Sequence, residues 1–238
     1  MKRVLPLLLA FLLCLAPCLA EEQGGTAETK SIILTVNGTE VPVIWEDNPA
    51  VQKLRELLPL TMSMTRFGGL QQVGYLEQMI QGSDTQTDAE PGDVILFEDR
   101  WIMLFYGYHS AKYTRLGRIP VELTEEDERE IAEDKDKTAE QLEEELKEAE
   151  EEKTTDQREK ELKKETIKEF REIEKETEKQ LEQIQASGLE EAEKQAKKEE
   201  LKAQEKEKKT ETLTKLKKIW KIKELLGGKT TITISTGE

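Results

Sequence analysis

The segment Thr230-Thr231-Ile232-Thr233-Ile234-Ser235 alternates threonine with isoleucine, the period of a half-buried strand built from β-branched residues. For about a hundred residues before it the chain holds no other β-like stretch. A strand without partners is poorly stabilised. It must therefore return to strands near the other end of the chain, and whatever lies between must be an excursion whose two ends meet.

That excursion is chemically distinct. Between Val121 and Lys218, 58 of 98 positions are charged, 35 acidic and 23 basic, with no proline and Phe170 as the one aromatic. Glu, Lys, Gln, Leu and Ala dominate, and all are good helix formers. Thr124 with Asp127, Thr154 with Gln157 and Ser187 with Glu190 have the spacing of N-terminal capping pairs. Ser187-Gly188 is the strongest break. From Val121 to Lys160 the count is 19 acidic to 7 basic, and from Glu191 to Lys223 it is 7 acidic to 12 basic. Arms that start acidic and end basic attract when folded back on each other, so the spacing predicts a helical hairpin turning near Gly188. Its arms, about 60 and 38 residues long, would reach roughly 90 and 57 Å. Ile167, Phe170, Ile173, Leu181 and Ile184 give a partial apolar stripe, too short for a sustained heptad seam.

Ahead of the excursion the residues read as β structure. Two β-branched runs flank Asn37-Gly38, a strong hairpin signal. Asn48 and Pro49 suit the cap and first turn of a short helix carrying Val51, Leu54, Leu57 and Leu58 on one face. Strands are expected over Leu60–Met64, Val94–Phe97, Trp101–Tyr106 and Tyr113–Ile119, with a bend at Gly68-Gly69. The polar run from Gly82 to Glu90 reads as a loop.

The string Asp47-Asn48-Pro49-Ala50, Leu54, Leu57-Leu58-Pro59-Leu60-Thr61 and Met64, followed by Val73-Gly74-Tyr75-Leu76, Pro91-Gly92-Asp93, Leu104-Phe105-Tyr106 and Leu116-Gly117-Arg118-Ile119, resembles the bacterial cyclophilin-like family of small β-barrels. The likeness covers about residues 32 to 119. Such proteins close with a short helix, a glycine turn and a last strand. Here that ending stands at Leu225-Leu226-Gly227-Gly228 and Thr230–Ser235. The expected fold is a mainly β cyclophilin-like barrel with short helices, interrupted by a long helical hairpin or coiled-coil-like insertion, α+β overall. The barrel comprises residues 31–119 plus 219–238, and the insertion 120–218.

The first twenty residues read separately. Lys2-Arg3, an apolar run from Val4 to Leu15, and Cys18-Leu19-Ala20 have the layout of a cleaved signal peptide, with 21–30 a flexible leader. Pro17 before Cys18 and Leu13 before Cys14 speak against a lipid-modified cysteine. Cleavage would remove both cysteines and with them any disulfide or thiolate chemistry. The expected location is the periplasm, the cell envelope or the extracellular space, with no membrane span kept after cleavage.

The net charge of −15 argues against nucleic acid, whose phosphates need a basic face. Prolyl isomerases of the cyclophilin type carry an arginine near a phenylalanine and a Gln-Gly-Gly-Asp segment. Here Arg66-Phe67 and Gln81-Gly82-Ser83-Asp84 lack the surrounding pattern and read as coincidence. One histidine with no defined neighbours makes no catalytic triad. No spaced metal ligands, phosphate-cradling loop or dinucleotide fingerprint is present. The expectation is a non-catalytic binding or scaffold module without metal or cofactor, and peptidyl-prolyl isomerisation is the competing reading. Arg66, Tyr75, Phe105, Tyr106 and His109 are the candidate pocket residues. A peptide or protein partner would bind the barrel or the helical arm, and oligomerisation through the arm is left open.

Overall fold

The computed structural model describes residues 31–152 and 157–237, which form ten strands and five helices. The leader and signal segment, and the Thr154 capping pair, lie outside the described residues.

The first hairpin joins β1 (Ile32–Val36) to β2 (Thr39–Val41), with Val36 opposite Thr39. Asn37 and Gly38 both take positive φ, 51° and 86°, as a two-residue primed turn demands. The chain then leaves through residues 42–43 into β3 (Ile44–Trp45) and helix α1 (Pro49–Glu56). Asn48 caps α1, its side-chain oxygen accepting from the Val51 N–H at 2.9 Å, and Pro49 sits in the first turn. Five further strands follow before β9: β4 (Leu60–Phe67), β5 (Gln71–Tyr75), β6 (Thr85–Ala89), β7 (Asp93–Phe97) and β8 (Trp101–Phe105). β9 (His109–Arg118) completes this part.

The last strand, β10 (Thr230–Thr236), lies between β1 and β4, with Ile32 opposite Thr236 and Ile234 opposite Leu60. The sheet order is β2-β1-β10-β4-β5-β8-β7-β9-β3, all antiparallel where paired. Its two outer strands, β2 and β3, are joined by residues 42–43 alone, and the Trp45 indole N–H donates to the Ile32 carbonyl at 2.9 Å. The sheet is therefore curled back on itself around Leu34, Leu54, Val94, Leu96, Ile102, Leu104, Ile232 and Ile234, all essentially inaccessible to solvent.

The run Gly82–Glu90 departs from the loop expected for it. Thr85–Ala89 is β6, paired with the first half of β9 from Thr85–Tyr113 to Ala89–His109. Only its last residue, Ala89, is buried, so a strand with a solvated edge keeps the polar composition of a loop. This β6–β9 flap encloses a second cluster, Ala89, Ile95, Met103, Phe105 and Tyr113. β7 and β8 consequently alternate between two buried layers, which is why their sequences read as unbroken apolar runs.

Between β9 and β10 stand α2 (Glu125–Asp134), α3 (Ala139–Glu152), α4 (Gln157–Ala186) and α5 (Glu191–Leu226). α4 and α5 run antiparallel, as successive pairs show: Lys198 with Gln185, Lys209 with Glu174, Trp220 with Glu165. They are about 45 and 54 Å long at 1.5 Å per residue. The outgoing arm is not one long rod. It breaks at residues 135–138, where the Thr138 hydroxyl accepts from the Gln141 N–H and the Gln141 amide oxygen from the Thr138 N–H. α3 then lies along α4, and Ile131, Leu142, Leu146, Ile167, Phe170 and Leu213 close a small core between helices. At the hairpin turn Ser187 does not cap α5. Its hydroxyl donates to the Ile184 carbonyl at 2.6 Å, ending α4, while Glu190, at the cap position before α5, makes no side-chain capping bond. The acidic start meets the basic end as the charge pattern requires: Asp127 pairs with Lys221 at 2.7 Å, Lys217 with Glu130, and Asp136 with Lys206 at 2.6 Å.

Ile222 and Leu226, the last buried residues of α5, belong to the barrel core and not to the core of the helices. The base of the arm is thus packed into the barrel. This positions the site.

Candidate functional site

Where the end of α5 meets the β4–β5 turn there is a cavity of about 410 Å³. Arg66, Gly69, Gln72 and Tyr106 line it from the barrel, and Trp220, Lys223 and Glu161 line it from the helices. The turn is tight because Gly68 and Gly69 both take φ near +65°, at 62° and 72°, which side-chain-bearing residues adopt reluctantly. Leu70 follows and accepts through its carbonyl from the N–H groups of Tyr106 (2.9 Å) and Gly107 (3.0 Å). Tyr106 is thereby fixed to the same corner.

Arg66 and Gln72 are direct partners in the β4–β5 ladder. Arg66 Nη2 donates to the Gly227 carbonyl at 3.1 Å, tying the barrel strand to the C-terminal end of α5. Gly227 takes φ 61° and its N–H donates to the Lys223 carbonyl, so the helix terminates there. Gln72 is 1% exposed, and its carboxamide oxygen has no hydrogen-bond partner. A buried amide oxygen left unsatisfied costs about 1–3 kcal/mol, so it marks a place where a donor belongs. Burial pushes the Tyr106 hydroxyl pKa above its usual value, and the Arg66 guanidinium works the other way. On the helical wall the Lys223 ammonium lies 4.5 Å over the Trp220 ring, whose N–H donates to Glu165 at 3.1 Å. The cavity thus offers a guanidinium, an ammonium, a phenol, an unsatisfied amide and one indole face, beside the carboxylates of Glu161 and Glu224. Among the described residues no serine, threonine, cysteine or histidine lines it.

Of the five residues singled out from the sequence, the structure brings together Arg66 and Tyr106. Phe105, the last residue of β8, belongs to the other buried cluster, fully buried against Tyr113 with ring centroids 5.6 Å apart. Tyr75, half-exposed, packs edge-to-face on Trp101 at 5.1 Å and accepts a hydrogen bond from Arg100. His109 is exposed at the start of β9, with Nδ1 2.9 Å from the Tyr113 hydroxyl. These three line no part of the cavity. Gln72, Trp220 and Lys223 were not singled out. Trp220 carried a signal, as an aromatic among lysines at the end of a charged helix, whereas a lone Gln in a strand carries none.

Among the described residues no three His, Cys, Asp or Glu side chains are grouped to hold a metal ion, and no helix is long and apolar enough to cross a membrane.

No curated protein and no solved structure matches the chain. Residues 34–143 match the family model described as the cyclophilin-like family, a stretch that holds most of β1, the strands to β9, α2 and the start of α3 but not β10. Over those residues, with their curled antiparallel sheet, the chain is similar to the cyclophilin-like family.

Proposed function

We propose that this chain is a non-catalytic binding module whose ligand enters the cavity between the barrel and the base of the helical arm. The unpartnered Gln72 oxygen carries the reading, because a ligand N–H or O–H would satisfy it. Arg66 and Lys223 suit a carboxylate or carbonyl on the same ligand, and Trp220 an apolar group. A short peptide has all three features. Phe67, next to Arg66, is 66% exposed and lies outside the cavity lining, so the two do not frame an apolar slot for a twisted prolyl bond. Export is part of the reading and rests on Lys2-Arg3, the apolar run and Cys18-Leu19-Ala20. Intact mass of the protein recovered outside the cytoplasm tests it, with Glu21 as the expected first residue.

The binding reading is tested by titrating pools of short peptides, proline-containing ones included, while following tryptophan emission, with Trp220→Phe to identify the reporter. Binding that disappears in Gln72→Leu and Arg66→Ala, without isomerisation above background, supports it. Prolyl isomerisation abolished by Arg66→Ala would replace it with the enzyme reading. Neither binding nor isomerisation would sink both.

A further inference from the structure

Strand β4 changes partner along its length. Its second half pairs with β5, from Phe67–Gln71 to Thr65–Val73, and the ladder stops there. The first half, Leu60 to Met64, pairs with β10. The orientation of that half follows from hydrogen bonds across β10. The Asn37 N–H donates to the Thr231 carbonyl at 2.8 Å and the Gly237 N–H to the Ser31 carbonyl at 2.8 Å, so the odd-numbered residues of β10 turn their backbone groups toward β1. Ile232 and Ile234 then face β4, opposite Met62 and Leu60. By the same alternation the N–H and C=O of Thr61 and Ser63 point away from β10, to the side on which the ladder with β5 has ended.

They point into a groove of about 600 Å³. Pro59 to Ser63 form one wall and Tyr75 to Gln78 the other, with Glu56 and Leu57 at the end of α1. Leu76 is held away from β4 by its N–H bond to the Arg100 carbonyl at 2.8 Å, which keeps the walls apart. Met62 lines the groove, and Tyr75, edge-to-face with Trp101, stands half-exposed on the far wall. The charges are one-sided. Glu56 and Glu77 line the groove and no Lys or Arg does; Glu56 is paired with Lys53, leaving Glu77 as the open carboxylate.

We propose that this groove takes an extended peptide segment as an added strand, antiparallel to β4, with a lysine or arginine side chain against Glu77. Thr61 and Ser63 supply the main-chain bonds, the groove of about 600 Å³ receives the added segment, and the acidic rim selects a basic side chain. The groove shares no lining residue with the cavity beside Gln72, so the two readings stand or fall separately.

The test uses the full chain and the probe peptide acetyl-Thr-Val-Lys-Val-Thr-amide, read by hydrogen exchange of individual amides and by Trp101 emission. Saturating peptide is expected to protect the Thr61 and Ser63 amides. The same peptide N-methylated at alternate residues is expected to bind at least about tenfold more weakly, because it can neither donate nor pack flat on the edge. Glu77→Gln should weaken binding about threefold to tenfold and flatten its salt dependence. Gln72→Leu should leave it unchanged. Equal binding of the N-methylated probe, binding without protection of Thr61 and Ser63, or no binding at millimolar peptide overturns the proposal. Protection of those amides that rises with protein concentration in the absence of peptide overturns it too, by showing a second copy in the groove.

Discussion

Arg118 holds Asp93 from the side: its Nε lies 2.6 Å from Asp93 Oδ1 and its Nη2 3.2 Å from Oδ2. The carboxylate is fully buried and also accepts from Arg115 at 3.1 Å and from the Glu90 N–H at 3.0 Å. The contact raises the already high pKa of Arg118, chiefly through the hydrogen bond to Asp93. Removing one partner of such a buried set leaves charges uncompensated. Arg115 and Arg118 keep part of their side chains in water, so Asp93→Ala is expected to cost about 2–3 kcal/mol in urea unfolding, and Asp93→Asn, which keeps the shape, clearly less.

Gly92, one residue earlier, takes φ 97°, and a Cβ there would run into the Ile119 carbonyl oxygen. Both faults are in the backbone and cannot be relieved by a rotamer. Gly92→Ala should destabilise by roughly 3 kcal/mol, since the conformation alone costs about 1–3 kcal/mol for a residue with a side chain. Gly188→Ala, at the arm's turn, meets nothing within 4 Å and is expected to be near neutral, so thermal melts of the two variants make a direct contrast.

Acid sensitivity should concentrate at the base of the arm. Burial of Asp127 acts to raise its pKa, but hydrogen bonds from Lys221 and from the Thr124 N–H and hydroxyl outweigh it and hold the pKa at about 2, against an ordinary 3.8. A depressed carboxylate contributes stability that is complete above its unfolded pKa and lost as pH falls toward the folded one. The window is therefore about pH 4 down to about pH 2. Solvent screening limits the effect to about 1 kcal/mol. Urea midpoints measured across that window should fall less steeply in Asp127→Asn than in the natural sequence.

Within the helical core, Lys209 is 4% exposed. It contacts Glu174 and Glu205 at 2.8 and 2.9 Å, donates to the Lys137 carbonyl and lies 4.9 Å from the Phe170 ring centre. It joins α2's C-terminal loop, α4 and α5 in one place. Lys209→Ala should cost about 2 kcal/mol, less than a fully buried pair because both carboxylates remain partly wet, and helix signal should melt before the sheet.

Local chemistry made much of this legible in advance. Asn37-Gly38, Asn48-Pro49 and Thr124-x-x-Asp127 each encode a backbone shape by themselves, and each appears where its residues require. The alternation in Thr230–Ser235 likewise identified a strand from six residues. β6 escaped because it is polar on both faces and becomes a strand only by pairing with β9. The break at 135–138 was readable in Thr138-x-x-Gln141 but is masked by the helix-forming residues around it. The cavity was least accessible to sequence reasoning. It joins Arg66 to Gly227 and Gln72 to Lys223, residues about 150 or more positions apart, and nothing local to either reports the other.

The placement of β10 also orders events during synthesis. β1 and β4 emerge first, yet each must wait for a strand more than 160 residues later, as the pairs Ile32–Thr236 and Met64–Thr230 show. Until then both expose hydrogen-bonding edges to the solvent, next to apolar faces not yet covered. The arm, rich in local contacts, can coil within microseconds of emerging, while the sheet is held to the slow timescale of long-range pairing. A nascent chain stalled anywhere in α5 would therefore carry finished helices on an unfinished barrel, open for edge-to-edge association with its neighbours.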